Sequence, residues 1–446
     1  MHDTDPLLAE AFAVLAAIRS HGRRAVIAGG AVRDHVLGRP LTDADIATDM
    51  PVEELATLFR THAVGRSQQF DTVVIVSGGR AFEVTRFRGS AGGAGADALR
   101  EDTARRDFTI NALLMDEAGR VIDLQDGLAD LRARVVRAVG EPAVRFAEDP
   151  ARLLRAARFA ACLGFAIEAG TAATIREMAP LLAGVATERL GAELLKMAAA
   201  PGAAFARGVE LLDGLGLLRT VLPEVADLRG LAHRPEKHPE GGVWEHTLAA
   251  VRASASTDPA LNLAVLLHDV GKRPAHTVEE GVPRYHGHEA AGALLAEAVA
   301  RRLALPQRVR EALVFAVAQH GRCGKLAELR RSKRLALVAH EHWPTLRAVT
   351  LCDRAARGNP AELARLEALI AEAERDAAAA GGRPAGAAIS GTRVMELTGL
   401  PPGPRVGEIL RRVTEWALDN RIEDRTLIEG EVMRALRSPI EKEGAP

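Results

Sequence analysis

The sequence predicts an α+β chain: a small mixed sheet near the N-terminus, then helices almost to the end. Two observations predict it. Short apolar runs of strand character, ended by glycines or turn residues, are confined to roughly the first 125 positions, and from about residue 141 the apolar residues recur at helical spacing. Ala, Leu and Arg dominate while aromatics make up only 3%, a mix that favours helix.

Taken in order, residues 6–20 read as a helix and "RRAVIAGG" (23–30) as a short apolar strand ending in glycines. "VRDHVLG" (32–38) opens a helix closed by Gly38, and "DADIAT" (43–48) alternates like a strand. "PVEELATLFR" (51–60) is a helix entered through proline. "TVVIVSGG" and "AFEVTRFR" form a hairpin around Ser77, Gly79 and Arg80. "DFTINALLMD" (107–116) reads as a helix and "VIDL" (121–124) as a last strand. "AEDPARLLRAARFAACLGF" (147–165) has helical period, with Pro150 in a first turn. The Pro-, Gly- and His-rich stretch 228–244 and "AAGGRPAGAAISG" (379–391) mark boundaries. The expected domains are 1–140, 141–227, 228–378 and 386–446.

At 446 residues the chain is long enough for two to four domains. A formal net charge of −1 does not announce a nucleic-acid partner; basic surface must come from segregation, and Arg does cluster at 145–158 and 330–334. Three isolated cysteines, Cys162, Cys323 and Cys352, form no CxxC pair and point to a reducing, cytoplasmic setting. The acidic start "MHDTDPLLAEAFAVL" reads as an amphipathic helix rather than a signal peptide, and no run of about 18 apolar residues predicts a membrane span.

In "GGAVRDHVLGRPLTDADIAT" (29–48), Asp43 and Asp45 project from one face if the segment is a strand. Two hard carboxylates there suit Mg²⁺ and phosphate oxygens; a D-x-D in a polar loop is the competing reading. Gly29 and Gly30 close a strand before a helix, where backbone N–H groups can approach a triphosphate. Arg33 is placed either for phosphate or for a salt bridge with Asp34. Glu83, on a later strand, is either a third carboxylate or a solvated strand residue.

Together, "GGAVRDHVLGRPLTDADIAT", "EDTARRDFTINALLMD" and "EDPARLLRAARFA" resemble the bacterial-type (class II) tRNA CCA-adding enzymes and their poly(A) polymerase relatives, over most of the chain. The resemblance implies a nucleotidyltransferase head followed by helical neck, body and tail. It implies Mg²⁺-dependent transfer of nucleotides from CTP and ATP to a tRNA 3′ end without a nucleic-acid template, with Asp43 and Asp45 as the metal-binding catalytic carboxylates, to which Glu83 is the candidate third. It assigns ribose and triphosphate contacts to "RRDFTINA", hence Arg105, Arg106, Asp107 and Asn111, which fits a carboxylate accepting from a ribose hydroxyl and guanidinium forking onto phosphate. It assigns base selection to "EDPARLLR", hence Asp149 and Arg152, with Arg155 on the same segment. The chemistry is consistent: a carboxylate accepts from the amino group of cytosine or adenine while a guanidinium donates to the neighbouring ring acceptor, whereas guanine and uracil present a carbonyl and an N–H there. "TERLGAELLKM" (187–197) resembles the family's neck, where Glu188, Arg189 and Glu193 would brace the selecting helix.

One stretch departs from the family. "GSAGGAGADALR" (89–100) is short and Gly/Ala-rich where full CCA-adding members carry a longer loop with charged and aromatic residues. This leaves a CC-adding enzyme as an alternative. A poly(A) polymerase is another, disfavoured by an ending, "SPIEKEGAP", without a basic run.

Farther on, "WEHTL" places His246, "LLHDVGK" His268 and Asp269, "YHGHEAAG" His286 and His288, "AQHGR" His320 and "TLCDRAA" Asp353. This pattern resembles the HD phosphohydrolase superfamily, with His246, His268, Asp269 and Asp353 as metal ligands. Imidazole with carboxylate suits Mn²⁺, Fe, Ni²⁺ or Zn²⁺. The alternatives are a metal-stabilised scaffold or an HD hydrolase or regulator whose head merely binds nucleotide. Residues 389–422 resemble the tail that follows HD domains in such proteins, set equally for packing or for tRNA contact.

Overall fold

A computed structural model describes residues 5–63, 72–87, 96–233, 241–380 and 389–437. The chain divides into two compact units, Met1–Met197 with Arg207–Val221, and Ala198–Ala206 with Leu222–Pro446. Among the described residues, no helix is long and apolar enough to cross a membrane.

The first unit is built on a seven-stranded sheet: β1 (Ala25–Ala28), β2 (Asp45–Thr48), β3 (Arg60–Ala63), β4 (Thr72–Ser77), β5 (Arg80–Arg86), β6 (Leu114–Met115) and β7 (Val121–Ile122), in the order β3-β4-β5-β2-β1-β6-β7. All neighbours are antiparallel except β2 and β5, which run parallel with Ile46 beside Val84. Ile27, Ile46, Ile75, Phe82 and Val84 are fully or almost fully buried, as period-2 strands with one packed face require. The helix Pro6–Ser20 is capped by Asp5, which accepts from the Leu7 N–H, and buries Leu7, Leu8, Ala11, Val14, Leu15 and Ile18, one stripe at helical spacing.

The hairpin 72–86 forms where the alternation places it. The segment 107–116 does not become a helix. It folds as a 3₁₀ turn, Thr109–Asn111, followed by β6, which pairs with β1 and β7. All ten residues are buried. A stretch with no exposed face carries no period to separate strand from helix, and pairing with β1 decides the matter.

The segment 147–165 is also not one continuous helix. It is two, Pro142–Glu148 and Ala151–Leu163, with Asp149 extended between them at φ −151°. Pro150 causes the break, because the residue before a proline is pushed out of the helical region. The helices Ala169–Met178 and Thr187–Ala198 follow.

Among the described residues, the second unit is helical apart from a hairpin, Thr277–Glu279 with Val282–Arg284. The helix Pro259–Leu267 lies at its centre, buried from Asn262 to Leu267. Buried Asn262 is satisfied by the carbonyls of Ala198, Ala200 and Ser256 and by the Ser254 hydroxyl. Around it pack Val243–Ala253, Gln307–Cys323 and Trp343–Ala356, and His288–Arg302 packs against Gln307–Cys323. The last three helices, Gly391–Thr398, Pro404–Asp419 and Arg425–Arg437, have their own apolar core of Ile389, Val394, Ile409, Val413, Ile428 and Val432.

Candidate active site and a buried histidine cluster

The first unit holds a cavity of about 720 Å³ lined by residues of all three motifs that carry the family resemblance, among them Gly29, Gly30, Asp43, Asp45, Arg106, Asp107, Asn111, Asp149 and Arg152. Asp45 begins β2 and Asp43 lies two residues earlier, ahead of the strand. Both are exposed while the intervening Ala44 and the following Ile46 are buried, so the alternation that aims them together holds. Glu83 occupies the matching exposed position on β5, one residue before the Ile46–Val84 pair. It shares a face with Asp45 but does not line the cavity.

Gly29 takes φ +74°, open to glycine at little cost. Its N–H is not turned toward a ligand: it donates to the Leu113 carbonyl at 3.0 Å. What the glycine leaves open is room for Arg106, whose Nη1 would lie 3.0 Å from an added Cβ. Arg106 is itself held by Asp102.

Behind the carboxylates runs an alternating chain of charge. Arg33, 8% exposed, forks onto Asp34 and donates to Asn111 Oδ1 at 2.6 Å. The Asn111 amide donates to Asp107, which also accepts from Arg155 Nη2 at 2.6 Å and from the Phe108 N–H. Arg155 reaches on to Glu193, which Arg158 grips at 2.6 Å. The Phe159 ring lies beneath, with the Arg158, Arg33 and Arg155 guanidinium carbons 4.0, 5.1 and 5.4 Å from its centre. Burial alone would raise the Asp107 carboxyl, but Arg155 and the hydrogen bonds from Asn111 and Phe108 hold it at about 2. Of the two readings open for Arg33, the salt bridge is the one formed. Arg155 is likewise engaged by carboxylates and serves to hold Asp107.

Asp149 and Arg152 both line the cavity, yet they are not paired with each other across a helical turn. Asp149 accepts from Arg189 Nη2 at 2.8 Å and from the Ala151 N–H. Arg152 donates to Glu148 and to the Arg145 and Arg105 carbonyls. Burial pushes the Asp149 carboxyl up, but Arg189 leads the contacts that hold it below its ordinary value. Arg158, Phe159 and Lys196 were not singled out from sequence. The Arg152, Arg155, Arg158 spacing, three apart on one face, is the signal that points to Arg158. The Gly/Ala stretch falls mostly at 88–95, outside the described residues.

In the second unit, His246, His268 and Asp353 offer ligand atoms within 4.8 Å of one another, and so do Asp269, His288 and His320. His246 Nε2 stands 2.9 Å from Asp353 Oδ1, and His268 Nε2 3.2 Å from Asp269 Oδ2. His268 is 1% exposed and its Nε2 makes no hydrogen bond of acceptable geometry. Burial would raise both aspartates. His268 and Lys272 outweigh it at Asp269, and His246 and Arg357 at Asp353, so both carboxyls lie well below their ordinary value. Burial, first among the causes, lowers His320 to about 4 and keeps it neutral near pH 7. This donor set fits a divalent transition metal. His286 is exposed and belongs to neither group.

Comparison with known proteins agrees with this geometry. Residues 25–137 match the "Poly A polymerase head domain" and residues 164–228 the "Probable RNA and SrmB-binding site of polymerase A". The chain is 37% identical to the "Multifunctional CCA protein" of Halorhodospira halophila over 68% of its own length and 74% of that protein. It is 36% identical to the "A-adding tRNA nucleotidyltransferase" of Deinococcus radiodurans over 88% of its length and 91% of that protein. In structure it is similar to the Bacillus stearothermophilus CCA-adding enzyme solved with CTP, at 29% identity and a TM-score of 0.72, covering 97% of this chain and 98% of that one. With fold, cavity and relatives in agreement, the chain belongs to the bacterial CCA-adding and poly(A) polymerase family of nucleotidyltransferases.

Proposed function

We propose that the protein completes tRNA 3′ ends by adding CCA from CTP and ATP without a nucleic-acid template. The observation that carries the reading is the single cavity in which the Asp43/Asp45 edge shares a wall with Asp149 and Arg152. Mg²⁺ bound by the two carboxylates would supply charge stabilisation for the attacking hydroxyl and departing pyrophosphate. The chain's own residues do the rest. Asp149 is set to accept from an exocyclic amino group and Arg152 to donate to the neighbouring ring acceptor. Asp107, kept ionised by Arg155, is an acceptor for a ribose hydroxyl. Arg106 and Lys196 line the same cavity as cations for phosphate.

The similarity to an A-adding enzyme over nine-tenths of that enzyme's length favours a second reading, addition of the terminal A alone. The shortened stretch at 89–100 keeps CC addition as a third. Extension of one tRNA transcript ending at the discriminator base, and of another ending in CC, separates these at one-nucleotide resolution. With CTP and ATP the first transcript gains three residues if the protein is a full CCA enzyme, and two cytidines if it is CC-adding. Extension of the second transcript alone identifies an A-adding enzyme.

We also infer a divalent transition metal on His246, His268, Asp269 and Asp353, with phosphoester hydrolysis as the activity it fits. Its test is release of p-nitrophenol from bis-(p-nitrophenyl) phosphate in the presence of Mn²⁺, lost in His268→Ala. The free Cys162, Cys323 and Cys352 are in keeping with a cytoplasmic setting.

A further inference from the structure

Two arginines stand side by side ahead of Asp107, and one of them faces the cavity. Arg105 is exposed and does not line it, whereas Arg106 does. The difference lies in Asp102, 1% exposed in the last turn of the helix Ala96–Ala104. Asp102 and Arg106 are four residues apart, the spacing that brings side chains together across a helical turn. The chain keeps turning past Ala104, because the Arg105 and Arg106 N–H groups donate to the carbonyls of Asp102 and Thr103 at 3.2 Å. Arg106 Nε and Nη2 both meet Asp102 Oδ2 at 2.9 Å. The helix that carries this carboxylate is itself fixed. Leu99 packs against Val26, Ala28, Ala47 and Leu114, and the buried Thr103 hydroxyl accepts from Gln125 Nε2 at 3.2 Å.

The third guanidinium nitrogen shows where Arg106 is aimed. Nη1 lies 3.4 Å from the Asn111 carbonyl and would stand 3.0 Å from a Cβ on Gly29. Gly29 follows Ala28, which pairs with Asp45 across β1 and β2. The guanidinium therefore sits beside the strand end that carries the two aspartates, where a nucleotide's phosphates must arrive if those aspartates hold Mg²⁺. A mobile arginine would lose rotamer freedom each time a nucleotide bound, whereas one already forked onto a carboxylate has lost it on folding. A buried ion pair adds little to stability, since desolvation of both charges offsets their attraction. What this pair supplies is direction.

We propose that Asp102 is a positioning residue of the transfer reaction: by engaging Nε and Nη2 it sets Arg106 with its remaining N–H groups toward the phosphate oxygens of the incoming nucleotide. This rests on the reading of Arg106 as a phosphate-binding cation and extends it. Asp102 does not line the cavity, so it acts through Arg106. The triphosphate is common to CTP and ATP, so both nucleotides depend on Asp102 alike and the choice of base does not.

The test separates phosphate from base and from RNA. Binding of inorganic tripolyphosphate with Mg²⁺ to the full-length protein is measured by isothermal titration calorimetry. Extension kinetics are followed on two tRNA transcripts, one ending at the discriminator base with CTP and one ending in CC with ATP. In Asp102→Ala the Kd for tripolyphosphate and the KM for nucleotide should rise about tenfold, the scale of a lost hydrogen bond to a charged group. Arg106→Ala should do the same. KM for tRNA and the preference for CTP over UTP should not move. The double variant should be no worse than either single one, since both remove the same contact. Circular dichroism verifies folding. Asp102→Ser, whose hydroxyl can bond the helix carbonyl four residues earlier, carries the measurement if the alanine variant does not fold. A tripolyphosphate Kd unchanged at position 102 but raised in Arg106→Ala overturns the role of Asp102 and leaves that of Arg106. Effects that multiply in the double variant also overturn it, because Asp102 would then act independently of Arg106. A Kd unchanged in Arg106→Ala overturns both.

Discussion

The two units contain clusters of ionisable residues of similar size, and they are built on opposite plans. In the head, charges alternate: Asp34, Arg33, Asn111, Asp107, Arg155, Glu193 and Arg158 satisfy one another in a chain. In the helical unit His268, His288 and His320 turn Nε2 toward one carboxylate, that of Asp269, at 3.2, 3.6 and 3.8 Å. The first cluster is complete as it stands, and the substrate meets a wall already shaped. The second gathers imidazoles and carboxylates into a donor set that fits a divalent cation. A network of opposite charges preorganises a site, whereas a network of like groups reserves a place.

The largest effect expected is at the carboxylate edge. Asp43→Ala should cut nucleotide incorporation into tRNA by at least about 10²-fold while leaving Mn²⁺ bound by the histidine cluster unchanged. A loss of both would break the separation of the two sites. Next comes metal loading. Mn²⁺ at about 100 times its Kd should stabilise the cluster's unit by about 2.7 kcal/mol, read as a rise in Tm that disappears in His268→Ala. A parent Tm indifferent to Mn²⁺ would mean that the cluster reserves nothing.

Arg155→Ala tests the head from the other side. It removes the cation from Asp107 and one of the partners of Glu193, both under 10% exposed, and should cost about 2–3 kcal/mol in urea unfolding. The pH dependence of that stability should follow Asp107. Its carboxyl falls from 3.8 to about 2 on folding. A depressed pKa contributes stability that is present above the unfolded value and lost as pH falls toward the folded one, here about 2 kcal/mol between about pH 4 and pH 2. Asp107→Asn should flatten that part of the curve. The smallest effect belongs to Arg189→Ala. Arg189 is half-exposed, so its pair with Asp149 should contribute less than about 1 kcal/mol to stability. Any larger change should be in the preference for CTP over UTP, measured as a ratio of kcat/KM values. An unchanged ratio would reduce Arg189 to a surface partner.

Local pattern carried the parts of this molecule that local physics decides. The exposed–buried–exposed run Asp43, Ala44, Asp45 and the hairpin 72–86 follow from strand alternation. What pattern misses is who answers whom across long separations. Nothing near Arg155 reveals that Asp107 and Glu193 hold it, or near Asp149 that Arg189 does. The run 107–116 misleads for a related reason, since complete burial removes the periodic signal and β1, far back in the chain, settles its conformation. His288 and His320 are visible as histidines in sequence, but a four-ligand reading omits them. Their ring orientation is set by the carbonyl three residues earlier, and only once the helices have formed.

The pairing of β1 with β6 also has a consequence for how the head is made. Gly29 receives its fixed place when its N–H finds the carbonyl of Leu113, and β6 leaves the ribosome long after β1, β2 and both aspartates. Until then the strand bearing Asp45 has β5 on one side and β1 on the other, while β1 lacks its outer neighbour. A nascent head is therefore an open sheet with an apolar edge of Val26, Ile27 and Ala28, and closing it is a non-local, slow step. Truncations before residue 115 should yield aggregation rather than a smaller working head, and the catalytic edge acquires its final form only when the last central strand is in place.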